Sequence, residues 1–421
     1  MHEIMSFYLE NGLKVIMNRM PNVKTIVASM WINQGSQNET SENNGISHIA
    51  EHMVLNKNNN KNPDLIGVFD KLHNSGVNFN ATTNKENTYY YFQGLNESLA
   101  ACLEALKVIV VDNRAFNDDL FMNELKVIES EATSFYASFS QINSRMAQAL
   151  YGDFGIGKTI LGSIKNIQST TLLSVESLLY NTYTPENSTL IIMGDINYEF
   201  SADKAVSIFN QWEDIDTKKE EENIDNEAGV YFDGKFAGTN AIFALGFRIP
   251  NTESKVHICT ELLSLALSDP IMSKRIPVEI RQKRGLAYNV GGFVNQYKTM
   301  CTLGIACTCA NSNIEEAIRI AVHEIAKVRD DGITEDELNR ARMNLITRRN
   351  VEFSDPLKRT MCLGKYSSYN QSYSFEDEIR QIRKIDVEFI NETSKRVLSK
   401  DNLGMALIGN VDIDKIIDII S

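Results

Sequence analysis

Two kinds of apolar spacing alternate along this chain, and each predicts its own elements. Ile46, Ile49, Ala50, Met53 and Val54 follow the i, i+3, i+4, i+7, i+8 spacing of a core-facing helical stripe. Leu120, Phe121, Leu125, Ile128 and Ala132 repeat that spacing with no Gly or Pro to break it. Period-two runs rich in branched and aromatic residues predict strands over 25–33 and 88–94, and 7–17 reads as a hairpin turning at Asn11-Gly12. Helices are predicted over 97–111, 117–136 and 141–151. The second half repeats the order, with strands over 241–249 and 303–309 and helices over 257–268, 314–329 and 335–349. Strands segregated from paired helices predict an α+β fold, a sheet with helices packed on one face.

An internal repeat supports two such units. NSTLIIMG at 187–194 is echoed by NLGMALIG at 402–409, an offset of 215 residues at both ends. FNDD at 116–119 answers ITED at 333–336 at an offset of 217. Two halves of this length fit the usual size of a domain. Residues 214–229, with the run Lys218-Lys219-Glu220-Glu221-Glu222 and few apolar positions, read as a polar linker. The expected organisation is therefore 1–213, linker 214–229, and 230–421.

The chemistry sits opposite the first apolar stripe. His48, Glu51 and His52 share the other side of the 46–54 helix, because residues three and four apart are neighbours on a helical surface. One face buries and the other presents two metal-type ligands and a carboxylate. The order is H-x-x-E-H, the inverse of H-E-x-x-H, and the physics is shared. Two neutral imidazoles hold Zn²⁺, which acidifies a water, and the adjacent carboxylate takes the proton as that water attacks a carbonyl. A catalytic zinc wants three protein ligands and one open position, so a third ligand is expected on another element. Glu124 and Glu131 are seven apart on one helical face, so one can ligate while the other orients a histidine. Glu129 points about 160° away from Glu131 and is the weaker candidate. Shifting the motif by the repeat offset lands in Leu262-Leu263-Ser264-Leu265-Ala266-Leu267, which has no ligand, so only the first half can hold the metal.

The inverted motif, followed after 79 positions by the last residue of Glu124-x6-Glu131, resembles the pitrilysin/insulinase family of zinc peptidases. The chain length is closest to its mitochondrial-processing-peptidase-like subgroup. Three further segments carry the likeness. Asn80-Ala81-Thr82-Thr83 leading into Glu86 to Tyr91 resembles the edge strand that accepts substrate by β-addition. Arg281 and Tyr288 resemble the Arg-x6-Tyr pair of the second half, with Arg284-Gly285-Leu286-Ala287-Tyr288 close to the family wording. Residues 187–195 resemble the strand that ends each half.

The resemblance implies a clam-shell of two homologous domains, each a mainly antiparallel sheet with helices on one face. It also implies ligands His48, His52 and Glu131, Glu51 as general base, and Glu124 as supporting carboxylate. Asn80 and Ala81 would bind substrate backbone, while Arg281 and Tyr288 would supply a guanidinium fork and a phenol to a substrate carbonyl or developing oxyanion. The chain departs from the family after the metal helix, where Leu55-Asn56-Lys57-Asn58 opens an Asn-rich loop over 56–62.

Composition narrows the setting. The hydrophobic fraction of 43% and charged fraction of 23% are those of a globular chain, and no apolar run approaches a membrane span. The N-terminus shows neither an export nor an organelle signal, and the six scattered cysteines fit a reducing cytoplasm. Cys307 and Cys309 share a strand face with Leu303 and Ile305, which is core behaviour. A net charge of −13 disfavours nucleic acid. Residues 152–159 satisfy the G-x-x-x-x-G-K-T pattern, but a helix precedes them where a phosphate loop needs a strand, so no nucleotide is expected. The expected activity is zinc-dependent cleavage of unfolded peptides or leader-like and presequence-like segments. The alternative is a catalytically silent scaffold or the partner subunit of a heteromeric processing peptidase. Both the metal motif and the Arg/Tyr pair occur in one chain, which favours a self-sufficient homodimer over a heteromer.

Overall fold

The computed structural model describes residues 4–56, 63–112, 114–213, 228–236, 238–250, 254–268 and 275–420, with only the backbone of 63–66. Most of the expected linker and the Asn-rich loop beyond Asn56 lie outside the described residues.

The first sheet has six strands: β1 (Ile4–Tyr8), β2 (Lys14–Arg19), β3 (Thr25–Ile32), β4 (Asn78–Thr83), β5 (Thr88–Leu95) and β6 (Ser188–Gly194). Their order is β1-β2-β6-β3-β5-β4. Only β2 and β6 run parallel; the other neighbours are antiparallel. The second sheet comprises β7 (Val230–Asp233), β8 (Asn240–Pro250), β9 (Ala287–Gln296), β10 (Met300–Ala310) and β11 (Leu403–Ile408). Its order, β7-β11-β8-β10-β9, repeats β2-β6-β3-β5-β4 strand for strand. The echo at 187–194 and 402–409 is thus the same central strand of two related sheets. The α+β class and two-sheet architecture read from the sequence are those of the fold. Strand β9 was not anticipated from the sequence, since Asn289, Gly291 and Gly292 are poor strand formers. Its long pairing with β10 overrides that local preference.

Helices cover one face of each sheet as expected. In the second, Phe243, Leu245, Phe247 and Ile249 of β8 join a core with the helices Ser254–Ser268 and Ile314–Asp331. Cys301, Cys307 and Cys309 of β10 are buried in that core.

The reverse faces are covered by exchange. One compact unit gathers residues 1–133, 154–223 and 352–373; the other gathers 134–153, 224–351 and 374–421. The helix Pro356–Ser368 therefore belongs with the first sheet, where Leu363 packs with Ile16, Val27, Trp31, Ile191 and Met193. Gly364 lies against the Trp31 indole so closely that a Cβ would stand 2.1 Å from the ring. Arg359 donates to Asn18 Oδ1 at 2.6 Å, and Ser367 bonds Thr189 at 3.1 Å. In return the helix Ile142–Tyr151 covers the second sheet. Met146 and Leu150 lie on Gly246 and Gly404, paired neighbours in β8 and β11, and Tyr151 bonds Thr302 at 2.7 Å.

Candidate metal centre

The helix Ile46–Leu55 buries Ile46, Ile49, Ala50, Met53 and Val54 and turns His48, Glu51 and His52 to its other side. Its start is fixed by a buried carboxylate. Glu39, 3% exposed, accepts from the backbone N–H groups of Gly45 at 2.6 Å and Ser47 at 2.8 Å, and from Asn44 Nδ2 at 2.7 Å. The two backbone groups are donors that a helix N-terminus leaves without an internal partner. Gly45 itself adopts φ 101°, a left-handed conformation that only glycine takes without strain. Burial raises the Glu39 pKa, against the opposing hydrogen bonds. Around it, Lys158 donates to the Glu39 carbonyl and Lys85 to the Lys158 carbonyl. Burial lowers Lys85 to about 7 despite the Glu39 charge. Lys158 of the G-x-x-x-x-G-K-T segment is 4% exposed and donates to that carbonyl, and the segment follows a helix.

The helix Asp118–Tyr136 supplies the rest of the centre. Glu131 Oε2 lies 3.5 Å from His52 Nε2 and 3.9 Å from His48 Nε2. One ligand atom from each of the three residues lies within 4.8 Å of the others. Tetrahedral ligands about 2.1 Å from a zinc ion stand roughly 3.4 Å apart, so these side chains fit one ion with little movement. Glu124, two turns back, sits 3.3 Å from His52 Nδ1. With Nδ1 donating there, the His52 Nε2 lone pair is left toward Glu131. Asn56, one turn beyond His52, donates to the other Glu124 oxygen. Glu129 is turned elsewhere and accepts from Gln168.

The protonation of His48 suits metal binding. Burial, with the neighbouring His52 charge, lowers His48 to about 3, so its imidazole is neutral and its lone pair available. Its Nδ1 is buried without a hydrogen-bond partner among the described residues. For His52, burial pulls downward, but the Glu124 hydrogen bond and the charges of Glu131 and Glu51 outweigh it and raise the pKa. Burial also raises Glu51, opposed by the Thr83 hydroxyl at 2.5 Å, by His52 and by the Thr83 N–H.

Thr83 ends β4, so the carboxylate meets the sheet at an edge strand. Asn80 and Ala81 lie in β4, which has only β5 as a strand neighbour among the described residues. The second unit holds the remaining expected pair. Arg281 lies in a π-helical turn, Val278–Lys283, with its guanidinium 4.7 Å from the centre of the Tyr288 ring. Tyr288, on edge strand β9, is 83% exposed. Where the first unit gathers metal-type ligands, the second joins its helices through Arg349, Glu261 and Glu378.

Sequence reasoning missed Glu39, Thr83 and Asn56 as members of this centre. Asn56 carried a signal, being four residues after His52, but Glu39 and Thr83 arrive by tertiary contact.

Residues 14–163 match the profile of the insulinase family, peptidase family M16, and residues 169–345 match that of the peptidase M16 inactive domain. The chain belongs to the M16 family. It is similar to an uncharacterized zinc protease of Mycobacterium bovis, 24% identical across 95% of this chain and 92% of the relative. Among solved structures, a protease from Helicobacter pylori superposes with a TM-score of 0.86 at 18% identity, covering 97% of this chain and 99% of that one. A peptidase M16 inactive domain from Pseudomonas fluorescens gives 0.87 at 16% identity, covering 97% and 98%.

Proposed function

We propose that this M16 protein is a zinc-dependent endopeptidase in which His48, His52 and Glu131 hold the ion and Glu51 is the general base. The observation that carries the reading is the convergence of two imidazoles and a carboxylate beside a second carboxylate that abuts an open sheet edge. A zinc ion bound there would polarise a carbonyl and acidify a water. The protein's own groups do the rest. Glu51, with its pKa raised by burial, is placed to take a proton and return it to the leaving amine. Glu124 keeps His52 in the ligating tautomer. The outer edge of β4 at Ala81, with the Asn80 side chain beside it, offers backbone groups to an extended peptide, so only unfolded or flexible segments can be presented. Arg281 and Tyr288 are assigned to the substrate carbonyl or developing oxyanion. Leader-like and presequence-like peptides are the substrate class that fits.

The test is metal content measured alongside cleavage of an unfolded peptide library. H48A, H52A and E131Q should lose zinc; E51Q should keep close to one ion per chain and lose turnover. Metal loss in E51Q would overturn the division of roles. A zinc-loaded wild-type protein that cleaves no peptide would favour a silent scaffold or partner subunit.

A further inference from the structure

The edge strand carries a feature that the reaction does not use. Backbone groups of alternate residues in a strand face the same side. The Thr83 N–H reaches Glu51, and the Ala81 N–H donates to Asn80 Oδ1 at 2.9 Å, so neither is spent on β5. Residues 79, 81 and 83 therefore turn their backbone N–H and C=O groups to the open edge. Their side chains share one face, the face that Glu51 occupies. On it Phe79 lies directly across from Phe92 of β5, ring centres 5.7 Å apart, and edge-on to Phe69 at 4.7 Å. Phe92 is wholly buried and Phe69 nearly so, yet Phe79 is 44% exposed. An aromatic row thus crosses the sheet and stops at the open edge with one ring still half in water.

We propose that Phe79 is a specificity-determining residue that selects a large apolar side chain in the peptide strand added to β4. This deepens the peptidase reading and rests on it. In an added strand, the residue opposite Phe79 points to the same face and lies beside its ring. The position follows from the register. An antiparallel peptide whose residue opposite Thr83 lies next to Glu51 runs away from Glu51 toward its own C-terminus. The residue opposite Ala81 comes two positions later and the residue opposite Phe79 four positions later. Phe or Leu at that fourth position covers the exposed ring; Ser or Gly leaves it wet. Cross-strand aromatic and aromatic–aliphatic pairs are worth enough for roughly a threefold to tenfold preference.

The experiment uses the full zinc-loaded chain and pairs of unfolded peptides that differ only at this position, Phe against Ser, with the cut site identified by mass spectrometry. The wild-type protein should favour the Phe peptide in kcat/KM by about threefold or more, with the favoured residue on the C-terminal side of the cut. Phe79→Ala should bring that ratio near one, and Phe79→Trp should restore it. Equal wild-type rates for the pair would overturn the inference and leave the peptidase reading standing, as would a preference on the N-terminal side of the cut. Absence of cleavage of every peptide would overturn both. If Phe79→Ala does not fold, the wild-type peptide pair alone decides.

Discussion

Thr83 reaches Glu51 twice, once with its hydroxyl at 2.5 Å and once with its backbone N–H. The strand that is to hold substrate therefore also sets the protonation of the group assigned as base. Burial raises the Glu51 pKa and the Thr83 hydroxyl resists that rise, because a carboxylate that accepts hydrogen bonds is favoured in its charged form.

Thr83→Val keeps the shape and removes the hydroxyl. Activity should fall on the acid side as Glu51 takes up its proton, and the variant should reach that fall at higher pH than the wild type. The pH profile of kcat/KM is the check, with zinc content unchanged. An unmoved acid limb would mean that the hydroxyl does not tune the base.

Glu124 touches His52 at the nitrogen that faces away from Glu131. Removing such a supporting carboxylate weakens metal affinity without removing a ligand. Glu124→Ala should raise the zinc dissociation constant by about tenfold to a hundredfold, read by competition with a chelator. Stoichiometric zinc at saturating metal would separate it from the ligand variants.

Tyr288 is exposed and stacked on Arg281, an arrangement with no evident structural use. Tyr288→Phe keeps the ring and should slow cleavage at least about tenfold, equivalent to about 1.4 kcal/mol of transition-state binding, with zinc content unaffected. Wild-type rates on several peptides would make the pair structural.

Gly364→Ala should destabilise the protein. An Ala in place of Gly within a helix ordinarily gains about 1 kcal/mol. Here the added Cβ would stand 2.1 Å from the Trp31 indole, which is pinned by a 3.0 Å bond to Ser29 and a 4.2 Å stack on Tyr89. Overpacking of this kind costs about 1–3 kcal/mol, enough to reverse the sign. The urea midpoint of unfolding should drop.

Much of the centre was legible because one helix carries most of it. His48, Glu51 and His52 declare themselves by helical spacing, and Glu124 and Glu131 by their seven-residue interval. That Glu131 meets the histidines follows from no spacing, since it comes from a different helix; only the family resemblance pointed there. The sequence marks Thr83 as part of an edge strand and not as a partner of the base, because a hydroxyl bonding across a sheet edge has no sequence period. Glu39 replaces the usual Ser, Thr or Asp helix cap with a carboxylate from six residues before Gly45, a reach that capping patterns do not describe. The helix over 142–151 was visible in its apolar stripe, but the stripe does not say which sheet it covers.

The exchanged helices give the chain an order of assembly. Until residues 352–373 have been synthesised, Val27, Trp31, Ile191 and Met193 lack the helix that covers them. The half that carries His48, His52 and Glu131 emerges first from the ribosome, yet it waits for the helix over 356–368 to complete its packing. Each half thus acts as a template for finishing the other, and a truncated product would expose an apolar sheet face instead of folding as a smaller peptidase.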